Sequence, residues 1–322
     1  MATRARGIIS ELYGAFESSF ATPVASGSYW QLPFYSDSLG ETQGLSEDPE
    51  LGFGREPQEP SRDARNVDGD IVAPGRLAPL GVWLKGLLGA PTTTGSSPDF
   101  THTFTTGAET LPSMTLEKKL KSGAFLQYPG IVANQLNVAL ERGGNPRFNV
   151  GFLGTKENKL TSSGAGTPTK LTSPKFQNFQ GTLKADRGSG FQAFALVTSF
   201  NFTWNNGLEA IPEIGDGGVV QNIDPGQPSL SGGFDVRFTD FTNYDEAANN
   251  NTLAIELMWE LSANRYLKIT FHRVRLPKVK HEISGPGGIE VSYDWRGEYD
   301  SNAGASMTVE LANDQADYTN PS

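Results

Sequence analysis

The chain has 322 residues, of which 37% are hydrophobic and 19% charged, with 37 Gly, 20 Pro, no Cys and a net charge of −10. With 19 Phe, 9 Tyr and 5 Trp it holds more core material than a disordered chain. The lack of Cys excludes disulfides, thiol catalysis and Cys-ligated zinc, and acidity without a dense Lys/Arg run argues against a protein that grips duplex DNA. The length suggests about two domains of roughly 150 residues. No apolar run approaches the roughly 20 residues of a membrane span, and Glu11 and Glu17 interrupt the N-terminal region before any signal-peptide core, so a soluble protein without a membrane partner is expected.

Residues 1–70 read as an N-terminal arm with long loops, rich in Gly, Pro and Ser and acidic from Asp37 to Asp63. Leu80, Trp83, Leu84, Leu87 and Leu88 recur at helical spacing and stop at Gly89-Ala90-Pro91, which predicts a short core-packing helix. Strands are expected over 100–106, 112–120, 135–141 and 147–153, with Gly143 to Pro146 as the turn between the last two. The polar tract Lys156–Lys175 is too long for a tight turn and reads as an extended hairpin tip or assembly loop. An aromatic strand carries Phe194, Leu196, Phe200, Phe202 and Trp204, a Gly-rich loop surrounds Gly215–Gly218, and Phe234, Val236 and Phe238 mark another strand. Asn243 is read as the cap of a helix over 244–249.

A meander follows. Leu253, Ile255, Leu257 and Trp259 alternate with polar neighbours, the stretch 262–265 reads as a hairpin turn, and Leu267, Ile269 and Phe271 alternate in return. Ile289, Val291, Tyr293 and Trp295 form a third apolar row, and Met307, Val309 and Leu311 a fourth. One apolar and one charged face is the mark of antiparallel sheet with one side packed and one wet. The expected class is therefore mainly β, with antiparallel sheets in sandwich or barrel domains and one short helix each. Residues 71–188 are read as a first β-rich unit and 189–322 as a second, with structural duplication left open because no residue-by-residue repeat shows.

Motifs for chemistry are weak. His102, His272 and His281 are too scattered for metal ligation and read as surface residues. The stretch 66–70 suggests a calcium loop, but Leu77 stands where the bidentate Glu belongs. The stretch 164–170 lacks the Gly before Lys170 and the hydroxyl after it that a phosphate cradle needs. Glu256 with Glu260, and Glu290 with Asp294, could be imagined as glycosidase acids, yet strand alternation already explains them as solvated faces. No metal, cofactor or catalytic residue is assigned.

The ordered set Asp68-Gly69-Asp70-Ile71, the helix ending Leu88-Gly89, Phe100-Thr101-His102-Thr103-Phe104, Leu111 to Glu117, Tyr128-Pro129-Gly130, 134–140, Ser231-Gly232-Gly233, Tyr244 to Ala247 and Gly285 to Ile289 resembles the major tail tube proteins of long-tailed, siphovirus-type bacteriophages. The resemblance implies a structural virion protein without enzymatic activity. Its rings would stack into a hollow tube, with strands from every subunit closing an inner β-barrel that delivers DNA without binding it specifically. It implies assembly in the bacterial host cytoplasm, with itself, tail terminator, tail tip and tape-measure proteins as partners. The ring would hold six subunits, or three if each chain carries two units. Glu256, Glu290 and Asp294 are nominated as an acidic lumen-facing set. Phe20, Tyr29, Trp30, Lys159, Lys170 and Lys175, within segments 1–35 and 156–178, are nominated for contacts between rings. The alternative is a carbohydrate-binding β-sandwich of a tail tip or adhesin, which would show exposed Trp.

Overall fold

A computed structural model describes residues 4–52, 54–215, 217–283 and 285–321. The first half contains β1 (Glu11–Phe16), β2 (Trp30–Leu32), β3 (Ser36–Asp37), β4 (Gly40–Ser46), β5 (Ser61–Pro74), α1 (Leu77–Leu88), β6 (Thr92–Ser96), β7 (Asp99–Thr105), β8 (Met114–Lys121), β9 (Ala124–Leu140), β10 (Arg147–Gly154), β11 (Asn158–Leu160) and β12 (Thr169–Lys170). The second contains β13 (Gly181–Asp186), β14 (Gln192–Ala193), β15 (Val197–Asn205), β16 (Leu208–Pro212), β17 (Val220–Pro225), β18 (Ser229–Arg237), α2 (Thr242–Ala248), β19 (Thr252–Ser262), β20 (Arg265–Arg275), β21 (Glu290–Gly297) and β22 (Met307–Asn313). The protein is mainly β, its sheets antiparallel apart from the short parallel β2–β12 contact.

Three layers follow from the pairing. Sheet I runs β4–β5–β10–β9–β15–β18–β21, with β3 beside β5. Sheet II runs β14–β13–β19–β20–β22–β7–β6 and joins sheet I at Val274↔Gly297 and Arg275↔Arg296. Sheet III runs β2–β1–β8–β9–β11 and uses the first half of β9, whose second half lies in sheet I.

Aromatic residues from facing strands meet between the layers. Phe271 of sheet II lies 5.0 Å from Phe202 and 5.1 Å from Trp295, and Trp259 lies 6.0 Å from Phe148. Trp295 reaches this seam across Gly232, where a Cβ would come within 2.4 Å of its indole. Edge-on and tilted rings bury large area and add about 0.5–1.5 kcal/mol per pair. The predicted helix is α1, but it is buried all round except at half-buried Lys85, and packs on β9, β22, β7 and β20. Tyr318 from the C-terminal segment lies against Gly81, where a Cβ would sit 1.9 Å from its ring.

Several expectations change. Residues 1–70 are more than an arm with long loops: although irregular backbone makes up most of the segment, β1 is a buried strand, and β5 extends to Pro74. The tract 156–175 is no projecting tip. The Glu117 carboxylate, itself fully buried, accepts hydrogen bonds from Ser163 Oγ (2.6 Å) and Gly164 N (2.9 Å), so the tract lies folded onto sheet III. The boundary at 188 separates β13 from its partners β14 and β19, while β7 of the first half pairs with β22; one hydrophobic core spans Leu12 to Tyr318. Asn243 lies within α2, and Asp240 Oδ1 accepts from Thr242 N instead (2.9 Å). His102 is fully buried rather than superficial, because β7 alternates His102 and Phe104 inward against Thr101 and Thr103 outward. Its Nε2 donates to Gln315 O (2.9 Å), so Nδ1 accepts from the Thr93 hydroxyl (2.8 Å).

Glu17 ties the layers together. Its carboxylate accepts from Gly130 N (2.9 Å), Ala21 N (2.9 Å), Ser113 Oγ (2.7 Å) and Thr115 Oγ1 (2.7 Å). Glu17→Ala leaves several of these donors unpaired and is expected to cost at least about 3 kcal/mol; a chemical denaturation midpoint equal to wild type would show that the clamp carries no stability.

Burial holds the His102 pKa below the usual histidine value. The unfolded chain therefore binds this proton more readily, so the contribution is complete above about pH 6.5 and is lost as pH falls towards the depressed folded-state value. The stability lost between pH 7.5 and 5.5 should be smaller in His102→Gln than in wild type, and equal losses would contradict the assignment.

Candidate functional site

The outward face of sheet I is built from the residues that alternate with its core side chains. One cross-strand row reads Val72, Asn149, Asn137, Thr203, Ser231, Arg296, and another Arg147, Ala139, Asn201, Gly233, Asp294. In the first row Asn137 Oδ1 accepts from its neighbour Thr203 Oγ1 (2.6 Å) and also from Gln135 Nε2 (3.1 Å). Asp235 ties three strands, accepting from Ser199 Oγ and Ser292 Oγ at 2.5 Å each. Short polar side chains that satisfy one another make a flat, hydrated surface. These two rows contain no lysine, and their arginines stand at the ends.

The outward face of sheet II differs. Lys184 Nζ meets Glu256 at 3.0 Å and Lys268 Nζ meets Glu310 at 2.6 Å, among Thr182, Thr270, Thr308, Thr103 and Thr105. Alternating charges here are neutralised pairwise along the sheet.

The structure divides the nominated acidic set accordingly. Glu290 and Asp294 are exposed on sheet I, where Glu290 accepts from Thr198 Oγ1 (2.7 Å). Glu256 belongs to the opposite outer face, bonded to Lys184. Strand alternation identifies a wet side chain but not the sheet whose wet side it occupies, which is why the three group together in the sequence.

Of the nominated contact residues, Phe20 is 36% exposed, Lys159 and Lys170 are exposed, and Lys175 is half-buried beside Arg76. Tyr29 and Trp30 present no side-chain surface. Tyr29 is fully buried, donates to Val24 O (3.1 Å), and has its phenol pKa pushed up to about 12 by burial; Trp30 packs edge-on against Phe16 at 6.1 Å. All five Trp are buried, so none offers the exposed stacking platform of a sugar-binding module.

Two hairpins escape a reading of the sequence alone. The β4–β5 ribbon projects beyond sheet I with Leu45 67% and Leu51 95% exposed, and the β16–β17 hairpin carries Ile214 fully exposed. Both leave the same end of the sheet, joined by Arg65 N to Gly218 O at 2.8 Å. The acidic, Gly- and Pro-rich composition of 37–63 conceals the first, since alternation there marks two wet faces instead of one.

These surfaces define a structural β-protein whose chemistry lies in extended faces, edges and projecting ribbons. A family model described as phage tail tube protein matches residues 7–297, nearly the whole chain, and the chain belongs to that family. The family is structural, not a family of enzymes; it places the protein in the bacteriophage tail and implies an oligomer assembled with other tail proteins. Among curated proteins none matches the chain.

Lysines placed at the centre of the sheet I face, as in Asn137→Lys with Thr203→Lys, should confer duplex-DNA retention that weakens with salt. The logarithmic slope should steepen by about 0.9 for each additional phosphate neutralised; retention equal to wild type at low salt would refute this.

Proposed function

We propose that copies of this protein close into rings that stack into the hollow tail tube, with the outward face of sheet I lining the lumen through which DNA is delivered to the host. The observation that carries this reading is the broad polar face, with Glu290 and Asp294 toward one edge and no lysine in its central rows. Such a face repels or ignores phosphate where a basic wall would hold it. The second support is the edges of sheet I: β4 at one end and most of β21 at the other pair on one side only. Closure between copies would remove both, as unpaired edges otherwise template aggregation.

On this reading the protein performs no catalysis and is assembled in the host cytoplasm. Its partners are other copies, in rings of three two-unit subunits or six, then the tape-measure, tail terminator and tail tip proteins. Contacts between successive rings use the exposed Phe20, Lys159 and Lys170 and the half-buried Lys175 together with the two projecting hairpins.

Negative-stain electron microscopy of the purified protein across concentration, with its mass in solution, tests the proposal. Annuli or stacked tubes are the expected result. A monomer at every concentration, alone and with tail-tip complex added as an initiator, would overturn it.

A further inference from the structure

The two halves of the chain repeat one pairing scheme. In the first, β1 pairs with β8, β8 with β9, β9 with β10 and β11, β10 with β5, and β5 with β4. In the second, β13 pairs with β19, β19 with β20, β20 with β21 and β22, β21 with β18, and β18 with β15. The counterparts occur in the same chain order, with α1 after β5 and α2 after β18. The corresponding hairpins close at Lys121↔Ala124 and Ser262↔Arg265.

One difference stands out. β9 spans 17 residues and its counterpart β20 only 11. The extra length of β9, Gln135–Leu140, lies between β10 on one side and β15 on the other. β20 touches β21 at Val274 and Arg275 alone and then leaves the ladder. In the segment that follows, Pro277, Lys278, Lys280, Glu282 and Ile283 are exposed, Ile283 at 76%. Where β9 has β15 beside it, this segment has no strand among the described residues. The first-half counterpart of β15 is the β3–β4 stretch, which lies at the far edge of sheet I and pairs only with β5.

We propose that Lys278–Ile283 of one copy, ordered alongside β21 of its own chain as the end of β9 is alongside β10, pairs antiparallel with Ser36–Gln43 of the next copy, repeating between chains the β9–β15 joint inside the chain. The inference rests on the tube reading and names the edges that close its ring. Lys278 and Lys280 make no ion pair among the described residues, while Asp37 and Glu41 on the receiving edge already face Lys118 and Arg65, so the match rests on the repeated pairing scheme and not on charge. Pro277, which has no N–H to give, stands just before the segment and marks where the joint begins. Each chain then supplies two equivalent units, and a ring of six units takes three copies.

The chain has no Cys, so introduced thiols report without background. Lys278→Cys, Lys280→Cys or Glu282→Cys is combined with Ser38→Cys or Thr42→Cys, and assembled rings or tubes are treated with a short bis-maleimide. One combination is expected to give a ladder that ends at a closed trimer, while Glu260→Cys with Ser38→Cys stays monomeric. Lys280→Pro with Glu282→Pro, which leaves the Lys278–Tyr244, Val279 and His281 side-chain contacts in place, should abolish rings while shifting the unfolding midpoint little, because the segment has no backbone ladder within the subunit.

Wild-type rings visible by microscopy with every combination left monomeric, or rings of unchanged size from the double-proline variant, would overturn the joint while leaving the tube reading intact. If the wild type forms neither rings nor tubes, the tube reading falls and the joint with it.

Discussion

The fold depends on letting one strand serve two sheets, and the Glu17 carboxylate makes that possible. β9 passes from sheet III to sheet I around Pro129-Gly130, with Gly130 in the left-handed region at φ 67° and no room for a Cβ, which would fall 2.7 Å from Thr155. A bend there exposes backbone donors that neither sheet can pair. Glu17 accepts from Gly130 N and gathers hydroxyls of Ser113 and Thr115 at the entrance to β8. Charge-assisted bonds of this kind are about twice as strong as neutral ones. With β9 held, its first half completes the layer over α1 and its second half forms the middle of sheet I.

Because the core is shared, the outer faces can diverge. Both sheets send Phe, Trp, Ile and Leu to one seam, which leaves every alternate position free to take whatever the outside requires. Sheet II carries ion pairs such as Lys184–Glu256 and Lys268–Glu310, each worth up to about 1 kcal/mol at a surface. Sheet I carries amides, hydroxyls and glycine instead, with carboxylates but no lysine in its middle rows. On the proposed reading, a polyanion over the middle of this face would find the nearest cations, Arg147 and Arg296, only at the ends of the rows. The contrast between faces of one molecule is more informative than the net charge, which describes neither.

Period-two alternation makes β19, β20, β21 and β22 legible, together with their inward residues, and helical spacing finds α1. The family resemblance is legible too, through an ordered set of short motifs. What local pattern cannot encode is the partner. Nothing between 124 and 140 announces that β9 changes sheets, that β15 lies beside it, or that β13 crosses to β19. Glu256 groups with Glu290 and Asp294 for that reason: all are wet, but on sheets that face away from each other. His102 misleads through its chemical type, since a histidine with a hydroxyl on one nitrogen and a carbonyl on the other is satisfied without water. Tyr29 and Trp30 mislead through their irregular surroundings; backbone bonds from 165–169 to this segment fold a polar tract over them.

A strand ends where its neighbours end, and this gives the difference in length between β9 and β20 its meaning. A strand paired on one side that lacks cross-strand packing gains too little to offset the roughly 1–2 kcal/mol per residue of backbone entropy. β9 keeps its order to Leu140 because β15 lies beside it; β20 loses the ladder after Arg275, where the equivalent neighbour is missing. Pairing Lys278–Ile283 with another chain would therefore order backbone and create ladder bonds in one event. On the proposed reading this couples ring closure to strand formation: the isolated subunit keeps a short, charged, Pro-guarded edge that resists indiscriminate pairing, and only an edge of the right register extends it.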